Sequence, residues 1–518
     1  MRTFVACSCV VLGLLASISA RSVQRPETEA FDILIRRARV MDGMGNPWVR
    51  ADVGVREGRI AAVGKLNGAT AARVIDAADR VLAPGFIDVH SHAGESLTRE
   101  TLRDAAPMIA QGVTTIFINP DGGGPLDLAA QRRQIEAGGI GVNVAQLIGH
   151  GSVRRAVLGT EAREPTASEL VAMEALVGRG MGEGAFGLSS GLFYIPGRYA
   201  KTEEVIALAR VAAAAGGVCT SHVRDEGDYG AGVVAAVDEV IRIADEGGLR
   251  GIVTHMKALG PDNWGKGAAL LEHIDAARAR GVEVFADQYP YEASSTNLQA
   301  ALLPDGDNTD PAAREAVATE NLRRRGGADS IVIAFCRSDR TLEGKSLAQI
   351  AQARGVTAVA AALGIIAQGG ASIVSFNMSE KDIEAIMRAP YTMASSDGAL
   401  VEMGSGVPHP RGNGSFARRL ARYVRERKVV PLEFAIRAMT SLPASVFRMK
   451  DRGVIREGAV ADLVLFDPDR IQDMATYQNP HQLATGVSDV VVNGTLAMEG
   501  GKLTGARKGR VLRLSVGN

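Results

Sequence analysis

His90 and His92 close the apolar run GFIDVHSH, separated by a single serine. The chain has only eight histidines. Two more, His222 and His255, each finish a short segment of the same kind, VCTSH and GIVTH, and Asp397 follows another in TMASSDG. Residues two apart on a strand project to one side, so His90 and His92 point the same way, and Asp88 shares that face. Imidazoles about 7 Å apart along a strand can close on one ion. Such a pair alone fits a hydrogen-bonded core equally well. Four inward imidazoles with a carboxylate do not, because burying that set without a cation is costly. A divalent ion held there lowers the pKa of a bound water from 15.7 to about 7 and polarises a carbonyl, which is the chemistry of hydrolysis.

The elements that must deliver these side chains can be read from the strand ends. His92, Asp121, His150, Ser189 or Ser190, His222, His255, Asp287 and Asp397 each close a short apolar segment. They recur about every 30 residues, the length of a strand, a helix and two loops. Helical stretches between them end at glycine, as in Gly247-Gly248 and Gly281. Eight such units predict a (β/α)8 TIM-type barrel over 84–440, with its site at the C-terminal strand ends. The gap before Asp397 is far longer than the rest. It predicts an insertion over about 298–385 that covers the barrel mouth, with an Arg-rich helix (312–325) and a strand IVIAFC (331–336).

Both ends of the chain have another texture. Segments such as FDILIRRARVMDG and ADVGVREGRIAAVG alternate and stop at glycine turns, as do GVIREGAVADLVLFD, DVVVNGTLAMEGG and GRVLRLSV. One small β-sandwich domain, built from 31–83 and 441–518, is expected. Residues 1–20 have an arginine near the start, an apolar stretch and a small-residue exit, which predicts a signal peptide and export to the periplasm or medium. The alternative is an uncleaved anchor; no other stretch could span a membrane. Cys7 and Cys9 would leave with the signal, and Cys219 and Cys336 make no disulfide scaffold. Basic and acidic residues balance at 58 each, which argues against nucleic acid as a partner.

The stretches APGFIDVHSH, GLSSGLFYIPG, SHVRDEG, THMK, DQYPYEASST, SSDGAL, PHPRGNGSFARRL and MTSLPA, in this order, resemble the N-acyl-D-amino-acid deacylases (D-aminoacylases) of the amidohydrolase superfamily. The resemblance runs over residues 31–513. It implies that His90, His92 and Asp397 bind one metal, and that His222 and His255 bind the other. It also implies that Asp397 takes a proton from the attacking water and returns it to the leaving amine. Where the family carries a bridging cysteine, ungapped alignment places Asp121, in VTTIFINPDGG. Either this carboxylate bridges two ions through its two oxygens, or it is a turn residue after Pro120 and the site holds one ion. Zinc is the expected metal, and a carboxylate bridge weakens its advantage over manganese or cobalt. Cys219 does not replace the missing thiolate, since it lies three before His222 and faces the helices.

The small-molecule partner implied is an N-acyl amino acid, whose α-carboxylate needs cations. Lys257 lies two after His255, on the same side, and Arg411 offers a planar fork. The resemblance adds Tyr194, Tyr289 and Ser295 as substrate contacts, with Tyr194 also able to support the carbonyl oxyanion. His150, Arg224 and His409 are expected behind the site, and His273 and His481 away from it. The reaction expected is deacylation of an N-acyl-D-amino acid. Alternatives are a dipeptidase, a deacylase of L- or lipid-like N-acyl substrates, and a secreted binding protein on a decayed barrel. Two motifs are set aside. GLSSG (187–191) matches the G-x-S-x-G nucleophile elbow, but LFYIPG follows in place of a helix. GEGAFG (182–187) has its helix and strand in the wrong order for a dinucleotide fold.

Overall fold

The computed structural model describes residues 30–306 and 310–514; the expected signal peptide lies outside them. Eight strands run parallel in sequence order: Phe86–Asp88, Val113–Ile118, Asn143–Gln146 continuing as Ile148–Gly149, Gly187–Gly191, Val218–His222, Gly251–Val253, Val284–Gln288 and Thr392–Ala394. Hydrogen bonds close the ring between the first and last strands. Asp397 N donates to His90 O at 2.9 Å and His92 N to Gly398 O at 2.8 Å. Most of these strands supply an inward side chain to one apolar cluster that includes Ile87, Phe117, Val218, Ile252 and Met393, and Phe447 packs against the same cluster. The opposite faces pack on helices. Cys219 is one of these, buried among Val205, Leu208 and Ile243.

The two chain ends meet where Leu463–Phe466 pairs antiparallel with Val81–Pro84. Hydrogen bonding then runs continuously through nine strands. Alternation decides the packing here. Leu82, Leu463, Leu465 and Val491 join the small domain's own core with Ile35, Val53 and Ile60. Their neighbours Val81, Ala83, Val464, Phe466, Val490 and Val492 belong instead to a core shared with the barrel. The small domain is thereby fixed to the barrel by every second residue.

Three expected assignments need correction. Within GRVLRLSV, Val511–Leu512 does not enter the small sheet: it pairs parallel with Val144 and Ala145 of the third barrel strand. Ser441–Val446, also expected in the small domain, is a helix that shares the barrel's interior cluster. The insertion spans 293–377, displaced from 298–385. Its strand Ala293–Asn297 pairs antiparallel with Ser372–Phe376, which pairs with Ile331–Phe335. Helices Leu298–Leu302, Pro311–Arg324, Leu347–Arg354 and Ala358–Ala367 complete it around a separate core. Glu380–Arg388 lies outside, because its apolar stripe, Ile383 and Ile386 among others, is buried against the barrel. Among the described residues no single helix is long and apolar enough to cross a membrane.

Candidate metal centre

The pleat does not deliver the first two histidines as strand alternation predicts. Ile87 and Val89 fill the barrel interior, while the Asp88 carboxylate turns to accept from the Ser396 backbone and hydroxyl. Regular pairing stops at Asp88 and the chain bends at residues 89–90. That bend aims both imidazoles into the mouth. His255 arrives similarly, through a turn at φ 36° pinned by its own N–H donating to Asp287 at 2.9 Å. Asp121 (φ 54°) and Asp397 (φ 50°) also sit in the left-handed region. Each such non-glycine residue costs about 1–3 kcal/mol, a strain that clusters where side-chain aim matters.

The result is two groups of metal-ligating atoms that share one residue: His90, His92, Asp121 and Asp397, and then Asp121, His222 and His255. In the first group His90 Nε2 lies 3.4 Å from Asp121 and 3.5 Å from Asp397, and His92 Nε2 lies 3.3 and 3.1 Å from the same pair. Ligands about 2.0–2.1 Å from a tetrahedral ion stand about 3.3 Å apart, so this set fits a zinc-type ion. Asp121 Oδ1 also faces His222 Nδ1 at 3.7 Å and His255 Nε2 at 3.6 Å. His90 Nε2, Asp121 Oδ1 and both His222 ring nitrogens are buried without a hydrogen-bond partner. Asp121 is therefore a turn residue whose carboxylate stands between both groups.

Electrostatics agree with a cation cradle. Burial opposes charge on the His92 ring, but Asp121 and Asp397 outweigh it and push its pKa up to about 9. For His255, burial and Lys257 oppose the charge, while Asp397, Asp121 and Glu226 raise it to about 10. Burial dominates at His222 and pushes it down to about 4. Both carboxylates stay well below their usual range despite burial, Asp121 held by His90 and Asp397 by Arg411.

A glycine cradle presents Asp121. A Cβ on Gly191 would come 2.1 Å from Asp121 O, and one on Gly122 would press on the Gly151 and Gly191 backbone. Ser189 Oγ donates to Asn119 O at 2.7 Å and accepts from Gly122 N at 3.2 Å. The GLSSG segment thus clamps the loop that carries the shared carboxylate.

All five expected substrate residues, Tyr194, Lys257, Tyr289, Ser295 and Arg411, line a cavity of about 470 Å³ beside the metal groups. Lys257 donates to Glu226, and Arg411 Nη1 donates to Asp397 Oδ2 at 2.5 Å. Glu226 was not singled out in the sequence. Its carboxylate also lies 3.1 Å from His255 Nδ1, and its position four after His222 in an aperiodic loop gave no signal. His409 lines the cavity too, bonded to Ala293 O and Arg411 N. His150 and Arg224 lie behind it, paired with Glu204 and Glu239. His273 pairs with Asp238, and His481 bonds Gly406 O.

The amidohydrolase family model matches residues 73–497. An N-acyl-D-glutamate deacylase of Alcaligenes xylosoxydans xylosoxydans is 39% identical over 505 residues, covering 94% of this chain and 97% of its own. The crystal structure of an N-acyl-D-glutamate deacylase from Bordetella bronchiseptica, complexed with zinc and a phosphonate mimic of the tetrahedral intermediate, superposes with a TM-score of 0.83. It is 37% identical and covers 94% of this chain and 100% of its own. A D-aminoacylase structure described for its binuclear metal centre, with one-metal activation and second-metal attenuation, has a TM-score of 0.81. It is 35% identical and covers 93% of this chain and 100% of its own.

Proposed function

Since the chain belongs to the amidohydrolase family, we propose that it hydrolyses the amide of an N-acyl-D-amino acid, releasing a carboxylate and the free D-amino acid. The carrying observation is the carboxylate of Asp121 standing between two groups of ligands, with Asp397 lining the adjoining substrate cavity. His90, His92, Asp121 and Asp397 would hold one divalent ion, and Asp121, His222 and His255 a second. When bound, such an ion acidifies water and polarises the amide carbonyl.

The chain's own groups do the rest. Asp397 is ionised and faces the imidazoles through Oδ1, so it accepts a proton from water and passes it to the leaving nitrogen. Burial keeps the Tyr194 phenol protonated, and it stands over His222 with its hydroxyl 3.2 Å from Thr296, a donor for the carbonyl oxygen. Lys257, Tyr289, Ser295 and Arg411 bind the α-carboxylate. Glu226 holds Lys257 and His255 in register. Retention of His90, His92, His222, His255 and Asp397 speaks against a decayed binding protein. The supporting evidence for export is the composition of residues 1–20, and the mass of the mature N-terminus would test it.

The reading is tested with paired D and L N-acetyl amino acids and dipeptides, with zinc, manganese and cobalt. Turnover of the D series is expected; cleavage confined to L substrates or dipeptides would replace it with the peptidase or L-deacylase alternative.

A further inference from the structure

Three lysine or arginine side chains line the substrate cavity: Lys257, Arg325 and Arg411. Two are neutralised, Lys257 by Glu226 and Arg411 by Asp397. Arg325 is not. It follows the insertion helix Pro311–Arg324 and is 2% exposed. Among the described residues it makes no ion pair, and its Nε has no partner. Its guanidinium lies 5.7 Å from the Tyr229 ring, and with the Asn377 amide oriented to suit its neighbours, Nη1 donates to that oxygen at 3.3 Å. A ring face and one neutral acceptor leave a buried cation short of counter-charge, which a fold tolerates poorly unless a ligand completes it. Ser294, Thr296 and Ser372 line the same cavity with neutral hydroxyls.

We propose that Arg325 receives a second carboxylate of the substrate, carried by the amino-acid side chain or by a dicarboxylic acyl group, and so sets a preference for dicarboxylic substrates. An arginine fork matches a carboxylate bidentately. Its place at the end of the insertion helix Pro311–Arg324, on a segment with a core of its own, separates this contact from Lys257, Tyr289 and Arg411, which handle the α-carboxylate from the barrel. The inference rests on the functional reading above.

The test is a ratio of kcat/KM values. N-acetyl-D-glutamate is compared with N-acetyl-D-norvaline for the side-chain source, and N-succinyl-D-norvaline with N-butyryl-D-norvaline for the acyl source. The wild type should favour the dicarboxylate in one of the two pairs. Arg325→Gln should cut that ratio by about 10- to 100-fold, and Arg325→Lys, which keeps the charge, should retain more of it. A wild type without preference in either pair overturns the inference, whatever the variants do. Equal loss on both members of a pair also overturns it, since that is the pattern of an α-carboxylate contact or a structural role. If no N-acyl-D-amino acid is cleaved, the functional reading fails, and titration calorimetry of zinc-loaded protein decides the inference separately. D-glutamate should then bind tighter than D-norvaline, or succinate tighter than butyrate, with the preference lost in Arg325→Gln; equal binding sinks it.

Discussion

Arg411 and Asp397 share a charged hydrogen bond of 2.5 Å across the mouth of the barrel. One oxygen of the carboxylate faces the guanidinium, and the other faces His90 and His92. The residue read from sequence as a substrate cation is thus also the chief neighbour holding Asp397, the proposed general base, ionised against the burial that would protonate it.

Removing Arg411 should therefore do two things. In Arg411→Met the Asp397 carboxyl loses that neighbour and its pKa rises, so the acid limb of the kcat/KM profile should move to higher pH. The plateau should also fall by about 10- to 100-fold through the lost carboxylate contact. An unmoved acid limb would mean that Arg411 acts on substrate alone.

Asp397→Asn should keep bound metal but lower kcat by about 10²–10⁴. Near-normal turnover with full metal content would remove the acid-base role.

Asp121 can be examined by counting ions. Asp121→Ala should lower metal occupancy towards one ion per chain, and Asp121→Cys should keep two with an altered preference among metals. Unchanged stoichiometry in Asp121→Ala would reduce the residue to a turn.

Loading with zinc should release protons. At pH 7.5 the imidazoles of His92 and His255, raised to about 9 and about 10, are protonated in the metal-free protein, and ligands must give up their protons. Affinity should thus rise with pH below about 9. Calorimetry in buffers of different ionisation enthalpy should count between one and two protons per chain; none released would contradict the cradle described here.

The GLSSG segment separates two chemistries. Gly191→Ala would push a methyl into the Asp121 carbonyl, so metal occupancy and activity should fall together, by about 100-fold for a displacement near 1 Å. A serine-directed phosphonate should label neither Ser189 nor Ser190. Covalent labelling with loss of activity would revive the nucleophile elbow.

Much of this site was legible in the sequence because a barrel writes its active site at strand ends. His222 stands two and four residues after the inward-facing Thr220 and Val218, and simple alternation places it correctly. His90 and His255 were found for a partly wrong reason: bends beyond the strand aim them, and a positive φ at a histidine leaves no trace in the local pattern. Asp121 was placed by alignment with a cysteine, since its shared position depends on glycines 30 to 70 residues away. Glu226 lies on a loop without apolar periodicity, and Arg325 ends a helix whose arginines look alike in sequence. Only tertiary contacts show that the first is paired and the second is not. The fold was readable to its outline, and the end of the insertion was misjudged because Glu380–Arg388 carries the same amphipathic signal wherever it docks.

The most direct measurement is a zinc titration of chelator-stripped protein, followed by turnover of an N-acetyl-D-amino acid. Activity should be absent without metal and return as the first one or two equivalents bind. Undiminished turnover by metal-free protein would contradict the account.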